Sequence, residues 1–280
     1  MRRCWLASVS LLGACLPPAE IEASRRWWVA DPGAGVVWRD DPSGRAVALS
    51  SETPGARPGF DPSALARGPD GRLLVADFAN ATVSVAGPAG LEVLFENPAD
   101  PAATRIEEPC ALEAGPDGVV VLANDTENIA FLSPTGAVRS ELGPASRLGG
   151  AHGLAVLADG TLVVATSPAT PGAPTLFWWT REGAELGAFG AGLALPTDVA
   201  VLPDDTVAVA DWEGGSVTRW DPASGERLEV LAEGLPHPVA LAALASGGLL
   251  VLADDGVFTA SGERLADGAG FVFPRDLLAD

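Results

Sequence analysis

The sequence has no lysine and no tyrosine, which excludes Schiff-base chemistry and a tyrosine general acid from the outset. Histidine occurs twice, methionine once and cysteine three times in 280 residues. All 17 basic residues are arginines, and 37 acids oppose them for a formal net charge of −20. A phosphate-binding surface needs clustered cations, so nucleic acid is not an expected partner. Charged residues make up only 19% and hydrophobic ones 48%, which argues against disorder and leaves ample material for a core. Helical periodicity is missing throughout. The apolar run from Cys4 to Ala14 is too short to span a bilayer, which takes about 20 residues.

That run has the length of a signal-peptide core, and Arg2 and Arg3 precede it as a positive n-region. The segment Leu12-Gly13-Ala14-Cys15 resembles a bacterial lipobox. The resemblance implies cleavage before Cys15 and a diacylglycerol on its thiol. Residues 1–14 then form a signal peptide, 15–24 a lipidated cysteine with a short tether, and 25–280 the folded domain. Fully extended, the tether reaches about 30 Å. Leu16 follows the cysteine in place of the aspartate that retains some lipoproteins at the inner membrane. The expected address is therefore the bacterial cell envelope, on the outer membrane, with the lipid anchor as the only membrane contact. Cleavage leaves 15 arginines against 37 acids, a formal −22, and Cys110 as the only thiol of the domain. No disulfide can form within it, so the fold stands on packing.

A phrase close to Leu-Val-Val-Ala-Asp recurs six times, ending at Asp31, Asp77, Asn124, Thr166, Asp211 and Asp254. Seven residues earlier lies a tight turn: Asp70-Gly71, Asp117-Gly118, Asp159-Gly160, Asp204-Asp205 or Gly247-Gly248. These residues tolerate positive φ. Fifteen residues before the end of the phrase stand Pro62, Pro109, Ala151 and Pro196, each opening a short apolar run; Pro238 does so one residue out of phase. Each repeat reads strand, turn, strand, loop, strand, turn, strand, and the second strand is apolar on both faces. Four antiparallel strands every ~45 residues predict an all-β, six-bladed β-propeller. The first copy lacks its opening strand, and Phe273-Pro274-Arg275-Asp276-Leu277-Leu278 matches one. The C-terminal strand is therefore expected to complete the first blade.

The phrases Pro-x-Ala-Leu, Pro-Asp-Gly and Leu-Leu-Val-Ala-Asp resemble NHL repeats. The stretch from Pro203 to Leu231 resembles gluconolactonase/regucalcin-type six-bladed propellers. The resemblance covers roughly residues 26–280. It implies a divalent metal, usually calcium, held at the top of the channel by one Glu, two Asn and one Asp, the oxygen ligands a hard cation takes. At the matching positions this chain has His152 and Cys110 for the two Asn and Thr197 for the Asp, with Ser63 or Arg275-Asp276 nearest the Glu. Asp198 and Asp276 lie one residue late, which in a regular strand turns them away from the axis. No cofactor is therefore expected, a divalent metal being the one alternative the resemblance offers.

Ser63, Cys110, His152, Thr197 and Arg275 fall at equivalent positions around the axis. Ser63, Cys110, His152 and Thr197 are the candidate catalytic group, as nucleophile and base. The alternative is a channel lined by small polar side chains. The recurring Asp31, Asp77, Asp211 and Asp254 read as turn-holding groups, since Asp accepts backbone N–H bonds in the following turn. Trp27-Trp28 and Phe177-Trp178-Trp179 read as inter-blade packing. The long loop Ser167–Thr175 rises on the face of His152. His152, Trp212, Pro171, Arg275 and Asp198 are the candidate binding face. The expected role is a protein- or ligand-binding scaffold, the partner an envelope protein or a small ligand. The alternative is a divergent, gluconolactonase-like metal-dependent hydrolase.

Overall fold

The computed structural model describes residues 26–100, 102–143, 148–244 and 246–279. Cys15, the signal segment and the tether to Ser24 lie outside the described residues. Among the described residues there are 24 strands and no helix. The strands form six four-stranded antiparallel sheets, the blades of a six-bladed propeller. The inner strands are Pro62–Arg67, Pro109–Gly115, Ala151–Val156, Pro196–Val201, Pro238–Ala243 and the C-terminal Asp276–Ala279. The last of these pairs antiparallel with Trp27–Asp31, Trp28 opposite Leu278 and Ala30 opposite Asp276. Blade one is therefore closed by the two ends of the domain, and no sheet edge is left open between first and last blades.

The second strands explain why the blades stack. Leu73–Asp77, Leu162–Thr166, Val207–Asp211 and Leu249–Ala253 are buried at every position, because each has a neighbouring blade on either face. Outer strands such as Val138–Leu142 are exposed along nearly their whole length. Six apolar clusters result, each shared by two adjacent blades. Trp27 fills the core between blades six and one, Trp179 that between three and four, and Trp220 that between four and five. The turn chemistry holds as well: Gly71, Gly118, Gly160 and Gly247 take positive φ, and Asp205 does so at 61° where other copies use glycine.

Inner strands start with a defect that recurs. In five of them the register slips by one residue at Ser63, Cys110, His152, Thr197 and Val239. In blade one Arg275 donates its backbone N–H to Ala30, the residue that also pairs with Asp276, so the same two-against-one arrangement recurs. A β-bulge breaks the alternation of side chains. This overturns the expectation for Asp198 and Asp276: both line the axial channel beside Thr197 and Arg275.

Candidate functional site: the axial channel and its mouth

The bulged ring acts first as a belt between blades. Ser63 Oγ donates to the Pro109 carbonyl at 2.6 Å, and Thr197 Oγ1 to the Pro238 carbonyl at 3.0 Å. Cys110 Sγ lies 3.7 Å from the Ala151 carbonyl. Each reaches the first residue of the next inner strand, where no strand pairing joins the blades. Such bonds contribute about 0.5–1.5 kcal/mol each. Burial pushes the Cys110 thiol up to about 12, so it stays protonated and is a poor nucleophile. Ser63 is buried, and its hydroxyl lies within hydrogen-bond distance of the Ala76 and Pro109 carbonyls. His152 departs from the pattern: its Nε2 shares a 2.9 Å hydrogen bond with Ser167 Oγ in the long loop. Burial and the Arg275 cation lower its pKa, so the imidazole is neutral at neutral pH.

A second belt lies one residue deeper. Asp198 accepts the N–H of Val199 at 2.8 Å and that of Leu241, in the next blade, at 2.7 Å. Asp276 does the same with Leu277 at 2.7 Å and Leu65 of the next blade at 2.6 Å. Other copies carry Ala64, Ala111, Gly153 and Ala240 here. Gly153 has a steric reason, since a Cβ would lie 2.6 Å from the Cα of Asp198. Glu113, two residues deeper, completes an acidic group in a channel cavity of about 340 Å³. Its copies are Ala66, Ala155, Ala200, Ala242 and Leu278, so an acid in an otherwise apolar column is the sequence signal for it. Burial, with the nearby Asp276 carboxyl, pushes Glu113 up to about 8; burial pushes Asp276 up to about 7 and Asp198 well above the usual range. No group of three or more His, Cys, Asp or Glu among the described residues is arranged to hold a metal ion.

Above the ring the channel opens into a cavity of about 640 Å³. Cys110, His152, Thr197 and Arg275 form its floor, and Phe78, Trp212 and Phe273 its apolar walls. Of the expected binding face, His152, Trp212 and Arg275 meet here, Asp198 lies below in the channel, and Pro171 is exposed on its loop outside the lining. The wall residues come from the repeat itself. Phe78 and Trp212 follow Asp77 and Asp211, which hold the turns as expected: Asp77 accepts from Asn80 and Asp211 from Leu195, Ala194 and Gly214. Asp31 accepts the N–H groups of Val272 and Phe273, both at 2.9 Å, and so fixes the closing loop. Asp254 differs. In blade six Pro238 pairs with Ala253, where Pro196 pairs with Asp211, so Asp254 reaches the mouth instead of the turn. There it meets His237 Nδ1 at 2.7 Å, and the His237 ring stacks on Trp212 at 4.2 Å between centroids.

No protein-family model matches the sequence, and no curated protein matches it by sequence. Solved structures do match. One is from a nidogen/laminin complex, with TM-score 0.73 and 14% identity over 91% of this chain and 97% of that one. A virginiamycin B lyase from Staphylococcus aureus gives TM-score 0.61 and 16% identity over 83% and 76%. A gluconolactonase from Xanthomonas campestris gives 0.63 and 17% over 83% and 80%. At these identities the likeness is one of fold, and it places the chain among the six-bladed β-propellers. That fold carries a lyase, a lactonase and a member of a protein complex, so it does not choose an activity.

Proposed function

We propose that this protein is a lipid-anchored binding propeller of the bacterial cell envelope, which holds its ligand in the mouth of the axial channel. One observation carries the binding half: a single guanidinium, Arg275, stands between aromatic walls in a cavity of about 640 Å³. That volume suits a small organic molecule. The ring beneath supports binding over turnover. Ser63, Cys110 and Thr197 are engaged between blades, and the Cys110 thiol stays protonated. The anchoring half rests on Leu12-Gly13-Ala14-Cys15 and its resemblance to a lipobox.

Two experiments test the two halves. Mass spectrometry of the mature N-terminus is expected to find a diacylglyceryl cysteine at position 15, and Cys15→Ala to lose it and remain uncleaved. A soluble periplasmic protein without lipid would overturn the anchor. A thermal-shift screen of small molecules is expected to give hits on the intact protein that are lost in Trp212→Ala. Hits that ignore this substitution would place the binding site outside the mouth. A second reading, a divergent lactonase-like hydrolase, draws on the hydrogen-bonded pair of neutral His152 and Ser167. Turnover of aldonolactones or homoserine lactones that disappears in His152→Ala would establish it.

A further inference from the structure

We infer that the mouth selects small organic monocarboxylates with a flat apolar body, the carboxylate on Arg275 and the body against Phe78, Phe273 and Trp212. The inference rests on the mouth being the binding site and adds the class of ligand.

Arg275 brings an uncompensated positive charge to the mouth. Among the described residues no carboxylate lies within ion-pair distance of the Arg275 guanidinium, although the chain has 37 acids and 17 arginines. Asp61 feels Arg275 at longer range, and Asp254, across the mouth, is engaged by His237. The guanidinium is held by rings instead, 5.5 Å from the centre of Phe78 and 5.3 Å from that of Phe273. Aromatic faces orient an arginine while leaving its N–H edge available, and that edge matches a carboxylate with two parallel bonds. One cation offsets one negative charge. The surrounding field of a chain at −20 disfavours a polyanion.

Apolar surface is concentrated at the same mouth. The two most exposed large apolar side chains among the described residues are Val272 at 66% and Phe273 at 58%, and both line this cavity. Exposed apolar groups gathered at a concave site mark binding surfaces. They sit on a fixed support. Asp31 accepts both of their backbone N–H groups, and Gly33 packs so closely that a Cβ there would lie 2.6 Å from the Phe273 Cβ. A preformed wall costs little ordering when a ligand arrives. The floor adds the Thr197 and His152 side chains at the polar end.

Calorimetric titration with three probes of one body and different charge tests this: 2-naphthoate, 2-naphthamide and 2-naphthyl phosphate. Naphthoate is expected to bind at least about tenfold more tightly than the neutral amide. The advantage is expected to vanish in Arg275→Gln and to shrink as salt is raised. Phe273→Ala is expected to weaken all three probes together. Equal binding of acid and amide, both lost in Trp212→Ala, would overturn the carboxylate assignment while leaving the mouth as the site. Tighter binding of the phosphate would overturn the monoanion preference. Binding that neither Arg275→Gln nor Trp212→Ala alters, or no binding of any probe at 10-millimolar order, would remove the mouth itself.

Discussion

Asp198 accepts the backbone N–H of Leu241 across a seam where the two blades share no strand pairing, at 2.7 Å. The same carboxyl accepts the N–H of Val199 in its own strand. Removing it strands two backbone donors at the channel wall. Asp198→Ala is expected to destabilise the protein by about 1–3 kcal/mol at pH 5, measured by urea unfolding. Asp276→Ala is expected to behave alike, since it bridges to Leu65. No change in either variant would show that the lower belt adds nothing to the ring.

The acids of the channel set the pH dependence. Their folded-state pKa values are raised, so their contribution is fully present below the ordinary carboxylate range and is lost as pH rises through the folded value. For Asp276 that window runs from 3.8 to about 7, and for Glu113 from 4.5 to about 8; Asp198 has the same sign. His152, lowered in the fold, works in the opposite direction below its ordinary value of 6.5, as one group against three. Stability is expected to fall between about pH 5 and 8. Glu113→Gln is expected to flatten that fall and to raise the melting temperature at pH 8. A wild-type melting temperature that rises steadily from pH 5 to pH 8 would contradict the buried acidic group.

The blade count, the closure by residues 276–279 and the turn positions were legible in the sequence because they repeat. A copy that agrees with five others carries its structural reason on its surface. The turn-holding role of Asp31, Asp77 and Asp211 is legible on this ground. Positions that break the repeat were harder. Asp254 ends the same phrase in the sequence, but in blade six the strand pairing stops at Ala253 and leaves it outside the turn. Regular alternation along a strand would turn Asp198 and Asp276 away from the axis. The bulge that brings them inward depends on register between strands, which period and composition do not reveal. Phe78 and Phe273 come together only through ring closure, since they lie in different repeats.

The closing loop offers a test of preorganisation. Gly33 has no room for a methyl group, with Phe273 Cβ at 2.6 Å and its backbone N at 2.9 Å from the ideal Cβ. Gly33→Ala is expected to displace Phe273, to cost about 1–3 kcal/mol, and to weaken mouth ligands without altering any lining residue. Asp31→Ala removes the acceptor for Val272, Phe273 and Ala34 and is expected to do the same more severely. Unchanged stability and hydrogen exchange in residues 271–275 of Gly33→Ala would show that the loop is not held as described.

Closure itself can be removed. Deleting residues 276–280 leaves Trp27–Asp31 without its inner neighbour and takes Leu277, 3% exposed, from the core between blades six and one. An open edge and a lost core together are expected to bring aggregation or a loss of cooperative unfolding. A truncated protein that melts like the full chain would contradict the topology of blade one.

The most direct test of the mouth as a carboxylate site is a crystal structure of the protein soaked with 2-naphthoate. The naphthalene is expected between Phe78, Phe273 and Trp212, with its carboxylate on the guanidinium of Arg275. Ligand bound elsewhere with the mouth empty, or bound in the mouth with its carboxylate turned away from Arg275, would contradict the reading of the mouth as a carboxylate site above a structural ring.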